Sequence, residues 1–162
     1  MTDTEKQYFS DMYEKHAKSV YGICLIYLKN KDDAEEAVTE AFIRIMQANP
    51  IFENDAHTRA YLIQTAVNIS KNLLKSNWHR NVVKDEDVLM YMATPEEESV
   101  MEELLQLPPK YRVVLYMHYY EGYKAQEIAD MMKVSLSAVL SRLARGRKKL
   151  KDILTEGGYF YA

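Results

Sequence analysis

Within the ten residues from Arg142 to Lys151 stand six cations and no acid. Side chains of this kind serve anionic polymers: a guanidinium reads base edges or grips phosphate in two-point pairs, and an ammonium holds phosphate as a point charge. At about 100° per residue, Leu136, Val139, Leu140, Leu143 and Leu150 gather on or beside one face of a helix, and Ser137, Ala138, Ser141, Arg142, Arg145, Lys148 and Lys149 fall on the other. Small polar residues early and long cations late suit a helix whose N-terminal part enters the major groove while its later turns reach phosphates. A basic helix end is also what the C-terminal dipole favours, so this face acquires meaning only from what precedes it. That is a short helix over Gln126 to Met132, a tight turn at Lys133-Val134-Ser135, and a longer helix from about Leu136. With Ile128, Ala129, Met132, Val134, Val139 and Leu143 placed to lock the two helices, and Ser135 placed to cap the second, the spacing is that of a helix-turn-helix.

The other chemistry-bearing residues do not assemble. Glu36 and Glu40 are one helical turn apart, but on a solvated amphipathic face they read as charge display rather than as an acid/base pair. His16, His57, His79 and His118 lack metal-ligand spacing, and Cys24, the only cysteine, lies in an apolar stretch where it reads as a buried structural thiol. No Gly-rich phosphate loop, nucleophile elbow or metal cluster is present, so no enzyme, cofactor or metal is expected. Trp78 beside Lys75 and Arg80 suits either stacking on an unpaired base or helix-end packing. The tyrosines at 116, 119, 120 and 123 read as core and surface.

The elements that must position these groups are helical. Few stretches alternate like strands, and Pro50, Pro95, Pro108 and Pro109 fall where other cues also mark helix ends. The charge divides the chain: net −1 over residues 1–80, −7 over 81–107 and +5 over 108–162. A basic segment set off from an acidic one marks a local nucleic-acid footprint beside a spacer. The first module, 1–80, contains an apolar helix from Tyr8 to Leu28, a helix from Asp32 to Gln47 with Asp32 and Asp33 as cap and N-terminal charge, a loop from Ala48 to His57, and a helix from about Thr58 to Ser76. In the second of these, Ala34, Ala37, Val38, Ala41, Phe42, Ile45 and Met46 form the apolar stripe. Residues 81–99 read as an acidic flexible linker with a sticky centre at Val88 to Met92. Residues 100–156 form the second module, with a short helix to Leu107 and a proline-started helix running to Tyr120, and 157–162 form a flexible tail. The fold class is therefore all-α, two small helical domains joined by a linker. No apolar run approaches the roughly 18 residues a membrane span needs, and a cytoplasmic protein is expected.

From Leu107 to Leu154 the chain resembles region 4 of sigma-70 family factors of the extracytoplasmic-function (ECF) group. The match lies in Leu107-Pro108, the Glu121-Gly122 turn, Glu127-Ile128-Ala129, and Val139-Leu140-Ser141-Arg142-Leu143 with Arg145 and Arg147. The first module is similar to region 2 of the same family, through Asp33-Ala34-Glu35-Glu36 with Glu40, Phe42 and Arg44, and through Arg59-Ala60-Tyr61-Leu62 with Ala66 and Asn68. The resemblance implies a sigma factor without catalysis of its own. Its partners would be core RNA polymerase, through the beta-prime clamp and the beta flap, double-stranded and melted promoter DNA, and an anti-sigma factor, with no insertion into a membrane.

Residue by residue, the resemblance assigns polymerase binding to Asp33, Glu36, Glu40 and Arg44. It assigns −10 element contact to Arg59, Tyr61, Asn68, Lys71, Asn72 and Lys75, and −35 element contact to the exposed face that begins at Ser137. Departures from the family pattern are Tyr61 for a usual Trp, Thr39 for a common Gln, Met46 for a common aromatic, Gln64 and Val67 for common basic residues, Lys133 for a frequent turn Gly, and Leu140, at the edge of the apolar face, for a frequent Lys. The alternatives are a stand-alone helix-turn-helix regulator and a sigma-like adaptor that binds polymerase without reading promoters.

Overall fold

The computed structural model describes residues 1–76, 88 and 101–156, among which no strand occurs. Three helices build the first group: α1 (Asp3–Leu28), α2 (Lys31–Ala48) and α3 (Asp55–Ser76). After a helical turn over 101–104, the second group comprises α4 (Pro109–Tyr119), α5 (Ala125–Met132) and α6 (Leu136–Glu156). Trp78, Leu89 to Met92 and the segment 157–162 lie outside the described residues.

Helix starts explain where the boundaries depart from expectation. α1 begins five residues before Tyr8 because Thr2 Oγ1 accepts the Glu5 amide at 3.1 Å and Asp3 and Glu5 face the positive helix end. Residues 3–8 at its start are all exposed, so no apolar period announces them. α2 is capped by Asn30, whose Oδ1 accepts the Asp33 amide at 3.0 Å, and not by Asp32 or Asp33. α3 starts at Asp55 because Asn54 Oδ1 accepts the His57 amide at 2.9 Å, which turns the end of the expected loop into a helix cap. In the second group Pro109 occupies a first-turn position, where its missing amide costs nothing. Glu127 Oε1 accepts the Lys124 amide at 2.9 Å, and Ser135 Oγ accepts the Ala138 amide at 3.0 Å, as the helix-turn-helix spacing requires.

The apolar stripe of α2 buries Ala34, Ala37, Val38, Ala41, Phe42 and Ile45, but Met46 is 38% exposed. Ile23, Ile26, Ile45, Leu62 and Ile63 close the centre of the first group, and Met117, Ile128, Met132 and Val139 that of the second. Val88 is fully buried as well. Each such aliphatic side chain contributes roughly 1.5–3 kcal/mol on leaving water. The groups are not separate in space, since α1 packs on α4, α3 packs on α5, and one apolar cluster runs through both.

Helix termini hold this junction. The last four carbonyls of a helix have no partner within it. At the end of α1, Arg112 of α4, only 4% exposed, donates from Nε to Ile26 O at 2.6 Å and from Nη2 to Tyr27 O at 2.7 Å, and from Nη1 to Leu107 O at 2.8 Å. At the end of α5, Gln64 Nε2 of α3 donates to Asp130 O at 3.0 Å and Lys71 Nζ to Met132 O at 3.4 Å. Lys29 Nζ adds a bond to Leu105 O at 2.9 Å.

Candidate nucleic-acid interface

The turn between α5 and α6 is made by Lys133, at φ +56°, whose amide bonds Ala129 O, followed by Val134, whose amide bonds the same carbonyl at 3.1 Å. This left-handed step swings α6 across α5, and Ile128, Ala129, Met132, Val139 and Leu143 are buried between them while Val134 packs at the edge. Farther along, Gly146 allows close approach of α6 to α4: a Cβ there would stand 3.1 Å from Leu115 Cδ1. The helix-turn-helix is thus rigidly backed on two sides.

On α6, Ser137, Arg145, Lys148 and Lys149 are exposed, and Ala138, Ser141 and Arg142 are half-buried rather than fully displayed. Lys149 Nζ lies 5.6 Å from the Tyr111 ring centroid, and Arg147 Nη1 donates to the Tyr119 hydroxyl at 3.2 Å. Leu136 and Leu140 are 39% and 51% exposed, so Leu140, at the edge of the apolar face, stays largely open to solvent. Burial pushes the Tyr27 hydroxyl above its usual range, and the nearby Arg142 charge pulls it back.

The α3 face divides in the same way. Asn68, Asn72 and Lys75 are exposed, whereas Arg59, Tyr61 and Lys71 are half-buried. Arg59 stacks over the Tyr123 ring at 5.2 Å, with its Nε buried and unbonded, and Tyr61 meets Phe52 edge-on at 5.4 Å. Burial, reinforced by the charges of Arg142 and Lys133, holds the Lys71 ammonium below the usual lysine range. Lys71 thus lies beside the turn, bonded to Met132 O next to Lys133, and within reach of the Arg142 charge.

On α2, Glu36 and Arg44 are exposed, and Glu40 bonds Arg44 Nε at 3.1 Å. Asp33 is 8% exposed, so of the four residues expected to meet polymerase it is the one not on display. Cys24 is buried, with its thiol pushed up to about 12 by burial, as a structural cysteine should be. Among the described residues no three His, Cys, Asp or Glu side chains gather as a metal site, and no helix is long and apolar enough to cross a membrane. Arg112 and Gly146 both lie inside the stretch that resembles region 4, but no periodicity or motif in the sequence marks either as structural.

An exposed basic helix backed by a helix-turn-helix, joined to a three-helix bundle with an acidic outer face, defines a DNA-binding transcription protein. Residues 97–150 match the family model for sigma-70 region 4, and residues 12–80 match that for sigma-70 region 2. The chain belongs to the sigma-70 family of RNA polymerase sigma factors, in its extracytoplasmic-function group. It is 24% identical over 167 aligned residues to the ECF RNA polymerase sigma factor SigW of Bacillus subtilis, covering 91% of this chain and 89% of that one. Its fold is similar to that of CnrH in complex with the cytosolic domain of CnrY, with a TM-score of 0.70 at 19% identity, covering 93% of this chain and 90% of CnrH. It is also similar to the sigma factor RpoE in complex with the anti-sigma factor NepR from Bartonella quintana, with a TM-score of 0.66 at 14% identity, covering 95% of this chain and 98% of that one.

Proposed function

We propose that this sigma factor divides promoter-specific initiation among three surfaces. Residues 1–80 act as the region 2 unit and 100–156 as the region 4 unit, with 81–99 between them. The observation that carries this division is the display on α6, where Ser137, Arg145, Lys148 and Lys149 are exposed on a helix buttressed by α4 and α5. Ser137, Ala138, Ser141 and Arg142 read base edges of the −35 element, and Arg145, Lys148 and Lys149 hold phosphates. Arg59, Tyr61, Asn68, Lys71, Asn72 and Lys75 serve the −10 element. Glu36, Glu40 and Arg44, with Asp33 beneath them, meet the beta-prime clamp of core polymerase, while region 4 meets the beta flap. The protein works in the cytoplasm with polymerase and has no chemistry of its own. Because both similar structures are complexes, with CnrY and with the anti-sigma factor NepR, an inhibitory partner of that kind is proposed here as well.

The test is association with core polymerase. Acidic groups outside the apolar stripe are free to meet a basic partner surface. Reversing Glu36 and Glu40 to Lys should weaken core binding in pull-down while the helical signal stays unchanged. Retention of full binding would remove α2 from the polymerase interface.

A further inference from the structure

We propose that Leu136 and Leu140 of α6 select thymine in the −35 element, by apolar contact with its 5-methyl group in the major groove. The inference deepens the promoter reading given above and rests on it.

α6 buries Val139 and Leu143 within the second group, at 0% and 3% exposure, yet Leu136 and Leu140 keep 39% and 51% of their surface open. Residues four apart are neighbours on a helix surface, so Leu136, Leu140 and the exposed Ala144 form one ridge. Beside it, one residue on, runs a second ridge of Ser137, Ser141 and Arg145. A single exposed leucine is ordinary on a protein surface. Here two stand in line on a helix whose other exposed side chains, as far as Lys151, are Ser137, Ala144 and cations. The surface is apolar and cationic at once.

A partner that fits it must be polyanionic and must carry apolar groups between its charges. Duplex DNA meets both conditions, because phosphates border the major groove and the apolar group that base edges present inside it is the thymine methyl. Leu136 and Leu140 lie at the start of α6, the part of a recognition helix that meets base edges, whereas Arg145 and Lys148 lie where phosphates are nearer. One helical turn apart, the two leucines meet different base pairs. The residue type at 140 sets what the contact can do. A lysine there, frequent in the family, would hold phosphate as a point charge and strengthen every sequence alike. A leucine has no grip on phosphate and gains only where a methyl covers it. Leu140 therefore discriminates between sequences where a lysine would hold them all.

The test is competitive binding of the full chain, in complex with core polymerase, to promoter duplexes carrying the upstream element that it enriches from a randomised library. Deoxyuridine in place of each thymine of that element removes the 5-methyl group and leaves base pairing intact. At one or two positions this should weaken binding about fourfold, the worth of one methyl-sized group leaving water. Leu140→Ser should weaken binding of the thymine duplex to a similar extent and become indifferent to deoxyuridine at the position Leu140 meets, and Leu136→Ser should do the same at a second position. Leu140→Lys should bind all duplexes more tightly, with the salt dependence raised by about one phosphate, and should lose the same thymine preference. Deoxyuridine tolerated at every position by the natural chain overturns the proposal, as does a deoxyuridine penalty that persists undiminished in both serine variants. A serine variant that loses core polymerase while keeping the methyl preference gives the ridge to a protein partner and overturns it too. An enriched element without thymine overturns it while leaving promoter reading by α6 intact, whereas no enriched upstream element at all removes promoter reading itself and this inference with it.

Discussion

Arg112 Nε lies 2.6 Å from the carbonyl oxygen of Ile26, a bond between residues 86 apart in the chain that fastens α4 to the end of α1. Together with the bond to Tyr27 O, it satisfies two α1 carbonyls left free by the helix end. Removing the guanidinium leaves these acceptors buried without it. Arg112→Ala should therefore cost about 3 kcal/mol in urea unfolding, since each stranded buried acceptor costs roughly 1–3 kcal/mol. Arg112→Lys should recover only a minor part, because one ammonium cannot reproduce a planar fork that reaches three carbonyls. A loss below about 0.5 kcal/mol for the alanine variant would show that the bonds hold no structure.

Lys133 occupies the left-handed region at φ +56° in the turn of the helix-turn-helix. An L side chain there is strained by roughly 1 kcal/mol or more, and glycine is not. Lys133→Gly should raise stability by about 0.5–1 kcal/mol, offset in part by the larger entropy glycine loses. A destabilised variant would mean that the lysine stem contributes packing the backbone geometry does not reveal.

His16 is 4% exposed in α1, and burial holds its pKa below the usual 6.5, with Lys15 and Arg59 reinforcing the effect and Asp55 opposing it. A base with a depressed folded-state pKa gives stability that is present above 6.5 and lost as pH falls toward the folded value, because the unfolded chain takes the proton first. Unfolding at stepped pH should show His16→Gln losing less stability than the natural chain between pH 7.5 and pH 5.5. Parallel curves for the two proteins would place the imidazole outside the acid response.

Much of this was legible in the sequence because buried helices advertise themselves by period. The α2 stripe, the α5 to α6 turn and the Ser135 cap all follow from residue type and spacing. What was not legible depends on the other unit. Arg142 reads as exposed from its own helix, but it is half-buried, and its charge acts on Tyr27 and Lys71, residues far away in the chain. Gln64 and Val67 read as weakened DNA contacts, yet Gln64 bonds α5 and Val67 is buried. Asp33 reads as a displayed acid, but it stands in the first turn of α2 directly before the buried Ala34 and is itself covered. Exposed first turns, as in α1, carry no period at all.

The most direct measurement is run-off transcription by core polymerase with this chain on a promoter library randomised through both elements, repeated with Arg142→Ala and Lys148→Ala at several salt concentrations. The natural chain should enrich one defined pair of elements. Arg142→Ala should relax one or two upstream positions, worth roughly 1–3 kcal/mol for a bidentate guanine contact. Lys148→Ala should weaken all sequences alike and reduce the salt dependence by about one phosphate. Transcripts without enriched elements, or an upstream preference unchanged by Arg142→Ala, would contradict the reading of α6 as the helix that selects the promoter.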